Sequence, residues 1–231
     1  MGKIFYSIEN EVAQIMMDDG KANAMNWEFF KEMKNSMDQA ENDRAKVLVI
    51  TGRPGFFSGG LDLKLLSTLS HKEMNELAIT FARTMLRVFS FPIPTIAAAT
   101  GHAIAGGAML IFACDCRISL DGPFRIQMNE TAIGITLPCW MILIARSAIP
   151  SRWHNQALLH ARAYNPAEAF ERGILDTVAQ DVDSLKAQVE TAATKLMNLN
   201  LPAYKASKDN LRKAEIKHVI ELLEEELSVQ K

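Results

Sequence analysis

Between Lys46 and Thr51 the chain reads Val-Leu-Val-Ile, four apolar side chains in a row, three of them branched at Cβ. A strand with one wet face alternates polar and apolar residues. An unbroken apolar run of this length is the pattern of a strand covered on both faces. Such a sheet needs helices above and below it, so the run predicts an α/β fold. Val12 to Met17 reads as a second strand and Thr95 to Ala99 as a third. Between the first two, Trp27, Phe30, Met33 and Met37 recur at helical spacing behind Asn26, a residue suited to capping.

Ser70-His71-Lys72-Glu73 has the form of a capping box, and Met74, Leu77, Phe81, Met85 and Val88 then mark one face of a helix that stops before Pro92. Beyond Pro138 the chain reads as mainly helical. Asn165-Pro166 opens a short helix that Gly173 ends. Ile216, Val219, Ile220, Leu223 and Leu227 form an apolar stripe on the last helix. The expected organisation is an α/β core over residues 1–180 and a helical C-terminal segment over 181–231, with no low-complexity linker and no long-period repeat.

A chain of 231 residues with 48% hydrophobic side chains can bury a sizeable core. Its net charge of −2 carries no basic excess, which argues against nucleic acid as a partner. No wholly apolar run reaches the roughly 18 residues of a membrane span, so no membrane partner is expected either. Cys114, Cys116 and Cys139 are an odd number, which speaks against a disulfide framework and for a reducing compartment; all three are read as buried thiols. Cys114-x-Cys116 is too closely spaced for a zinc knuckle, so no metal is expected. The N-terminus enters a strand-like segment directly, without a basic leader and an apolar stretch. A cytoplasmic location is expected.

Two glycine turns carry the chemistry. The first is Phe56-Phe57-Ser58-Gly59-Gly60-Leu61-Asp62-Leu63-Lys64, downstream of the buried strand. The second is Gly101-His102-Ala103-Ile104-Ala105-Gly106-Gly107-Ala108-Met109, in which Gly101 opens a turn and Gly106-Gly107 opens an apolar helix running to about Asp115. Glycines let a ligand approach the backbone, and N–H groups in such turns can point outward unpaired. The first N–H groups of a helix also lack internal partners and sit at the positive end of its dipole. Two such turns could each aim one N–H at a single oxygen, which is an oxyanion hole. Taken singly, each reads first as an ordinary tight turn. Neither fits a nucleotide phosphate loop.

The pair Phe-Ser-Gly-Gly-Leu-Asp-Leu-Lys and Gly-His-Ala-Ile-Ala-Gly-Gly-Ala resembles the crotonase superfamily, the enoyl-CoA hydratases and isomerases. The resemblance extends from Gly20-Lys21-Ala22-Asn23-Ala24-Met25-Asn26 to Ala167-Glu168-Ala169-Phe170-Glu171-Arg172-Gly173-Ile174-Leu175-Asp176, with four motifs in the family's order and spacing. It implies a spiral of ββα units, a helical C-terminal trimerisation segment, and a homotrimer or pair of trimers. It also implies an acyl-CoA thioester as substrate, with coenzyme A entering as part of that substrate and no separate cofactor. By position, the N–H groups of Leu61 and Gly106 would hold the thioester oxygen. Lys21, Ala22, Met25 and the segment Gly59, Gly60, Leu61, Asp62 and Leu63 would line the groove.

The hydratases of that family carry two glutamates near the acyl group. Here the first position is Met109, and a thioether transfers no protons. The second is Glu130, in Gln127-Met128-Asn129-Glu130-Thr131-Ala132-Ile133-Gly134. One carboxylate is sufficient to move a proton from C2 to C4 of a 3-enoyl-CoA. The segment Asn-Glu-Thr-Ala-Ile-Gly-Ile-Thr-Leu-Pro-Cys-Trp (129–140) resembles the mitochondrial-type Δ3,Δ2-enoyl-CoA isomerases. That resemblance makes Glu130 the base, Asn129 a substrate contact and Met109 a residue facing the acyl group. Glu130 is expected to be partly buried with a raised pKa. Hydration, thioester hydrolysis, decarboxylation, dehalogenation and acyl-CoA binding without turnover are the alternatives. His102 is read as a turn histidine bonded to backbone, and Asp62 as a residue holding its own loop. Lys205 and Lys208 are weighed as contacts to a CoA phosphate against ordinary surface lysines.

Overall fold

The computed structural model describes residues 3–229, and within the last helix the side chains of Glu224 and of residues 226–229 are outside that description. A six-stranded sheet runs in the order β1 (Ile4–Glu9), β2 (Val12–Met17), β3 (Val47–Thr51), β5 (Thr95–Ala99), β7 (Cys116–Leu120) and β9 (Thr177–Ala179). Only the β1–β2 hairpin is antiparallel; the remaining pairs are parallel. A second, three-stranded parallel sheet holds β4 (Gly55–Ser58), β6 (Gly101–Ile104) and β8 (Ile126–Gln127). Each of β3, β5 and β7 is followed by a short strand that leaves for the smaller sheet. This is a repeated strand–strand unit, and helical segments follow it in each of the three repeats.

The Val-Leu-Val-Ile run behaves as its pattern requires. Leu48 and Ile50 enter the main core, whereas Val47 and Val49 enter a second core on the opposite face. Helix α7 (Val182–Met197) covers that second face through Leu185 and Ala193. Burying each such aliphatic side chain is worth roughly 1.5–3 kcal/mol. Helix α1 (Trp27–Asn42) starts at the Asn26 cap, whose Oδ1 accepts from the Phe29 N–H at 3.0 Å. Phe29 and Phe30 are buried, but Trp27, in the first turn, is largely exposed. The Ser70–Glu73 capping box opens α3 (His71–Phe89), and a second box at Asn165 opens α6 (Pro166–Glu171).

Gly101 does not open a turn. It begins β6, which pairs in parallel with β4 and β8. Cys114 is buried, but Cys116 and Cys139 are half-buried, at the first positions of β7 and α5 (Cys139–Ala148) respectively. The last helix, α8 (Leu201–Val229), folds back on its own chain. Lys208 is 6% exposed. Its Nζ lies 2.5 Å from Asp115 Oδ2 and donates to the Phe91 and Ile93 carbonyls. Arg212 reaches Asp115 Oδ1 at 2.9 Å. Lys208 is therefore spent on an internal ion cluster and does not reach a CoA phosphate; Lys205 is paired with Asp209 on the surface. Val219 and Leu223 join the main core, with Ile216 and Ile220 partly buried beside them. The side chain of Leu227, the last residue of the expected stripe, lies outside the described residues. Among the described residues no helix is long and apolar enough to cross a membrane.

Candidate active site

The first glycine turn leaves β4 and leads into α2 (Leu63–Leu66). Asn23, 2% exposed and with a positive φ of 50°, ties the preceding loop to β4. Its Nδ2 donates to the carbonyls of Met17, Phe56 and Phe57 at 2.9–3.2 Å. The Gly59 N–H donates to the Ala22 carbonyl, the Met25 N–H to the Gly60 carbonyl and the Asp62 N–H to the Met25 carbonyl, at 2.8–3.0 Å. The Gly60 N–H donates to Ser58 Oγ at 3.1 Å. Between Gly59 and Asp62 every N–H is thus committed except that of Leu61, which has no acceptor among the described residues. In the parallel bridge between Met25 and Leu61 the two bonds run through Gly60 and Asp62, so the Leu61 N–H points the other way. Asp62 caps α2, its Oδ1 accepting from Lys64 and Leu65. It does hold its own loop.

The second turn brings a donor to the same place. Ala105 precedes α4 (Gly106–Ala113) with φ 50° and ψ −118°, a conformation that costs a residue with a Cβ on the order of 1–3 kcal/mol. Its N–H donates to the Gln127 carbonyl at 2.8 Å. Gly106 then stands first in the helix, where its N–H has no internal partner. Gly60 has φ 83°, and a Cβ on it would lie 2.8 Å from the Ile104 carbonyl oxygen and 3.0 Å from the Gly106 nitrogen. A Cβ on Gly107 would lie 2.1 Å from the Ser58 carbonyl oxygen, so only glycine lets α4 start this close to β4.

Glu130 caps a single 3-10 turn, Thr131–Ile133, and its carbonyl accepts from Ile133 and Ile135. It is 5% exposed, and its Oε2 has no hydrogen-bond partner. Burial pushes its pKa up, against a smaller downward pull from its own backbone N–H. The adjacent Asn129 has a buried, unpartnered Oδ1. A buried polar atom without a partner costs free energy, so two side by side mark a place where a ligand or water completes the bonding.

Leu61, Gly106, Asn129 and Glu130 all line one cavity of about 320 Å³, whose other walls are apolar, among them Leu77, Phe81, Trp140, Met141 and Leu223. Glu130 is the one ionisable side chain among its described lining residues. A larger groove of about 920 Å³ between α5 and α8 has Arg146, His154 and His218 but neither glycine turn. The smaller cavity is the candidate site because Leu61 and Gly106, with their unpartnered N–H groups, and the unpartnered Glu130 carboxyl all border it. Such a site can hold an oxygen that gains negative charge while a base moves a proton beside it.

Of the other expected groove residues, Gly59 and Leu63 line the cavity. Lys21, Ala22, Met25, Gly60, Asp62 and Met109 do not. Met25 and Met109 are wholly buried. The Met25 sulfur and the Phe81 ring cover the start of α4, each 3.0 Å from where a Gly106 Cβ would stand, and Met109 lies a turn further along that helix. Met109 therefore packs in the core and does not form a wall of the cavity. Lys21 is exposed, and its carbonyl accepts from Arg53. His102 lies outside the cavity, with Nδ1 accepting from the Arg125 N–H at 3.0 Å and its ring between Phe56 and Phe124. Burial, and then Arg125, lower its pKa. Asn23 and Leu223 are the residues that sequence reasoning missed. Asn23 lies inside the Gly20–Asn26 motif, and Leu223 belongs to the apolar stripe of the last helix.

A family model described as enoyl-CoA hydratase/isomerase matches residues 7–231. The chain belongs to the enoyl-CoA hydratase/isomerase family. Human mitochondrial enoyl-CoA delta isomerase 1 is 30% identical over 206 residues, covering 88% of this chain and 68% of the human protein. The crystal structure of an enoyl-CoA hydratase/isomerase family protein from Pseudomonas syringae superposes with a TM-score of 0.92 at 33% identity, covering 98% of this chain and 97% of that one. An enoyl-CoA hydratase structure from Mycobacterium marinum does so with a TM-score of 0.89 at 29% identity, covering 96% and 97%. The fold is thus the crotonase fold, with its helical C-terminal segment. Family membership makes the chain an enzyme of the hydratase/isomerase class, and relatives of both names resemble it.

Proposed function

We propose that this family member is a Δ3,Δ2-enoyl-CoA isomerase. The observation that carries the reading is the one ionisable side chain among the described lining residues of the cavity, Glu130, buried and with its Oε2 unpartnered. In the proposed reaction a 3-enoyl-CoA thioester places its carbonyl oxygen between the Leu61 and Gly106 N–H groups. The Glu130 carboxylate takes a proton from C2. The electron pair moves into a dienolate whose charge rests on the thioester oxygen, where the two donors stabilise it. The Glu130 carboxylic acid then returns the proton at C4, the double bond settles between C2 and C3, and the carboxylate is regenerated. Hydration would need a second group to manage water. The position where the resemblance puts that group holds Met109, buried in the core.

Asn129 would turn its amide toward the substrate beside the base. Lys21, Ala22, Met25, Gly60 and Asp62 would shape the CoA groove by holding the first turn. A homotrimer or pair of trimers belongs to the same proposal. It is supported by Ile133, Ile135 and Leu159, large apolar side chains that this single chain leaves exposed. A cytoplasmic location, proposed from the three free thiols, contrasts with the mitochondrial location in the human relative's name.

The test is an absorbance assay of 3-enoyl-CoA and 2-enoyl-CoA in parallel. Conversion of the 3-enoyl substrate to the 2-enoyl product supports the isomerase. Hydration of the 2-enoyl substrate alone identifies a hydratase, and turnover of neither identifies a binding subunit.

A further inference from the structure

A helix from the far end of the chain, α8, forms part of the wall of the cavity of about 320 Å³. All but one of its described lining residues lie between Gly59 and Met141. The exception is Leu223, on α8, which is 8% exposed. On the other side of the same two helices lies the groove of about 920 Å³. Met141 of α5 faces the acyl cavity and Ile142 the groove; Leu223 of α8 faces the acyl cavity and Leu222 the groove. The two cavities share no lining residue. Met141 and Leu223 are therefore one side of a partition a single helix layer thick.

From this geometry we infer that Leu223, with Met141 beside it, is the stop that sets the acyl chain length this enzyme accepts. The proposal rests on the reading of the 320 Å³ cavity as an acyl site. A volume of about 320 Å³ is at the small end of ligand pockets, which run from roughly 300 to 1,000 Å³. The substrate class is accordingly acyl-CoA of short to medium chain, since a longer tail meets Leu223 before it is fully buried. The helix is fixed at that place from a distance. Lys208 and Arg212, four and three turns earlier, lock α8 to Asp115. Val219, one turn before Leu223, sits in the main core at 7% exposure. The stop is thus held by the body of the same chain.

The experiment measures the dissociation constants of a series of saturated acyl-CoA thioesters of increasing length, by calorimetry, alongside turnover of the matching 3-enoyl series. In the unmodified enzyme each added methylene tightens binding about fourfold (~0.8 kcal/mol) until the tail reaches Leu223, and the gain then stops. Leu223→Ala joins the cavity to the groove behind it and moves the break to longer chains. Leu223→Phe moves it to shorter ones. If the alanine variant does not fold, as judged by its melting curve, Leu223→Val gives a smaller shift in the same direction. The same break in the unmodified enzyme and in the folded variants overturns the inference. Binding with a movable break but no turnover of 3-enoyl-CoA would overturn the isomerase reading alone. No chain-length dependence of binding at all would overturn the inference, while the turnover of 3-enoyl-CoA decides the isomerase reading separately.

Discussion

Gly60 and Gly106 come from turns that follow different strands, yet a Cβ on Gly60 would stand 3.0 Å from the Gly106 nitrogen. The Leu61 N–H in the first turn and the Gly106 N–H in the second have no acceptor among the described residues, and the close approach of the two backbones brings both residues to one cavity. Gly60 has φ 83°, so a side chain there is strained as well as crowded. Gly60→Ala should push the turns apart and misplace the Leu61 and Gly106 donors. A fall in kcat of about 10²–10³ is expected, the size of losing one such donor. Steady-state kinetics with 3-enoyl-CoA checks this, and a kcat within about threefold of the unmodified enzyme would show that the donors are not used.

The raised pKa of Glu130 predicts the pH dependence of both rate and stability. The base must be ionised, so kcat/KM rises with pH through the raised pKa and levels off above it. The stability effect has the opposite sign. Glu130 binds its proton more tightly in the folded chain than in the unfolded one, so between the two pKa values the folded state holds the extra proton. Stability therefore falls as pH rises through that window. Glu130→Gln, which removes the buried charge, should melt higher than the unmodified enzyme at neutral pH. The difference should close at pH values below the usual carboxylate range. Thermal melts of both proteins across pH test this.

The cluster of Asp115, Lys208 and Arg212 fastens α8 to the body, with Lys208 also satisfied by two backbone carbonyls. Asp115→Ala would leave two cations in a largely buried place without their partner. Breaking a buried pair in this way costs about 3–5 kcal/mol. Denaturant unfolding should show a loss of that order. Lys205→Ala, which removes only an exposed pair, should cost less than about 1 kcal/mol.

Asn23 ties its loop to β4 with bonds to three carbonyls and holds a positive φ that asparagine tolerates better than most residues. Asn23→Ala should lower the melting temperature and, by loosening the first turn, lower kcat. Glycine, which meets the φ but not the hydrogen bonds, should restore only part of the stability. Melting curves and kcat of both variants separate these contributions.

Much of this was legible in the amino-acid order. The Val47–Ile50 run announced a strand covered on both faces, and Leu48 and Val49 do enter different cores. Asn26, Ser70 and Asn165 announced helix starts, and each makes its capping bond. The ββ part of the repeat was not readable from local pattern. Strands β6 and β9 have four and three residues, and their hydrogen bonds go to strands distant in sequence. Gly101 therefore looked like a turn. Glu130 was legible through its motif, but its isolation in the cavity was not, because that depends on which side chains other elements bring near it. Leu223 shows the same limit. Its helical spacing predicted burial, and only the path of α8 reveals that it borders the cavity of Glu130.

The central claim is that one carboxyl, that of Glu130, carries the proton from C2 to C4. The most direct measurement is the rate of 3-enoyl-CoA isomerisation by Glu130→Gln, with saturated acyl-CoA binding measured on the same preparation. The account predicts a loss of about 10²–10⁴ in kcat with binding largely kept. Retention of more than about a tenth of the unmodified rate, in a variant that binds normally, would contradict it.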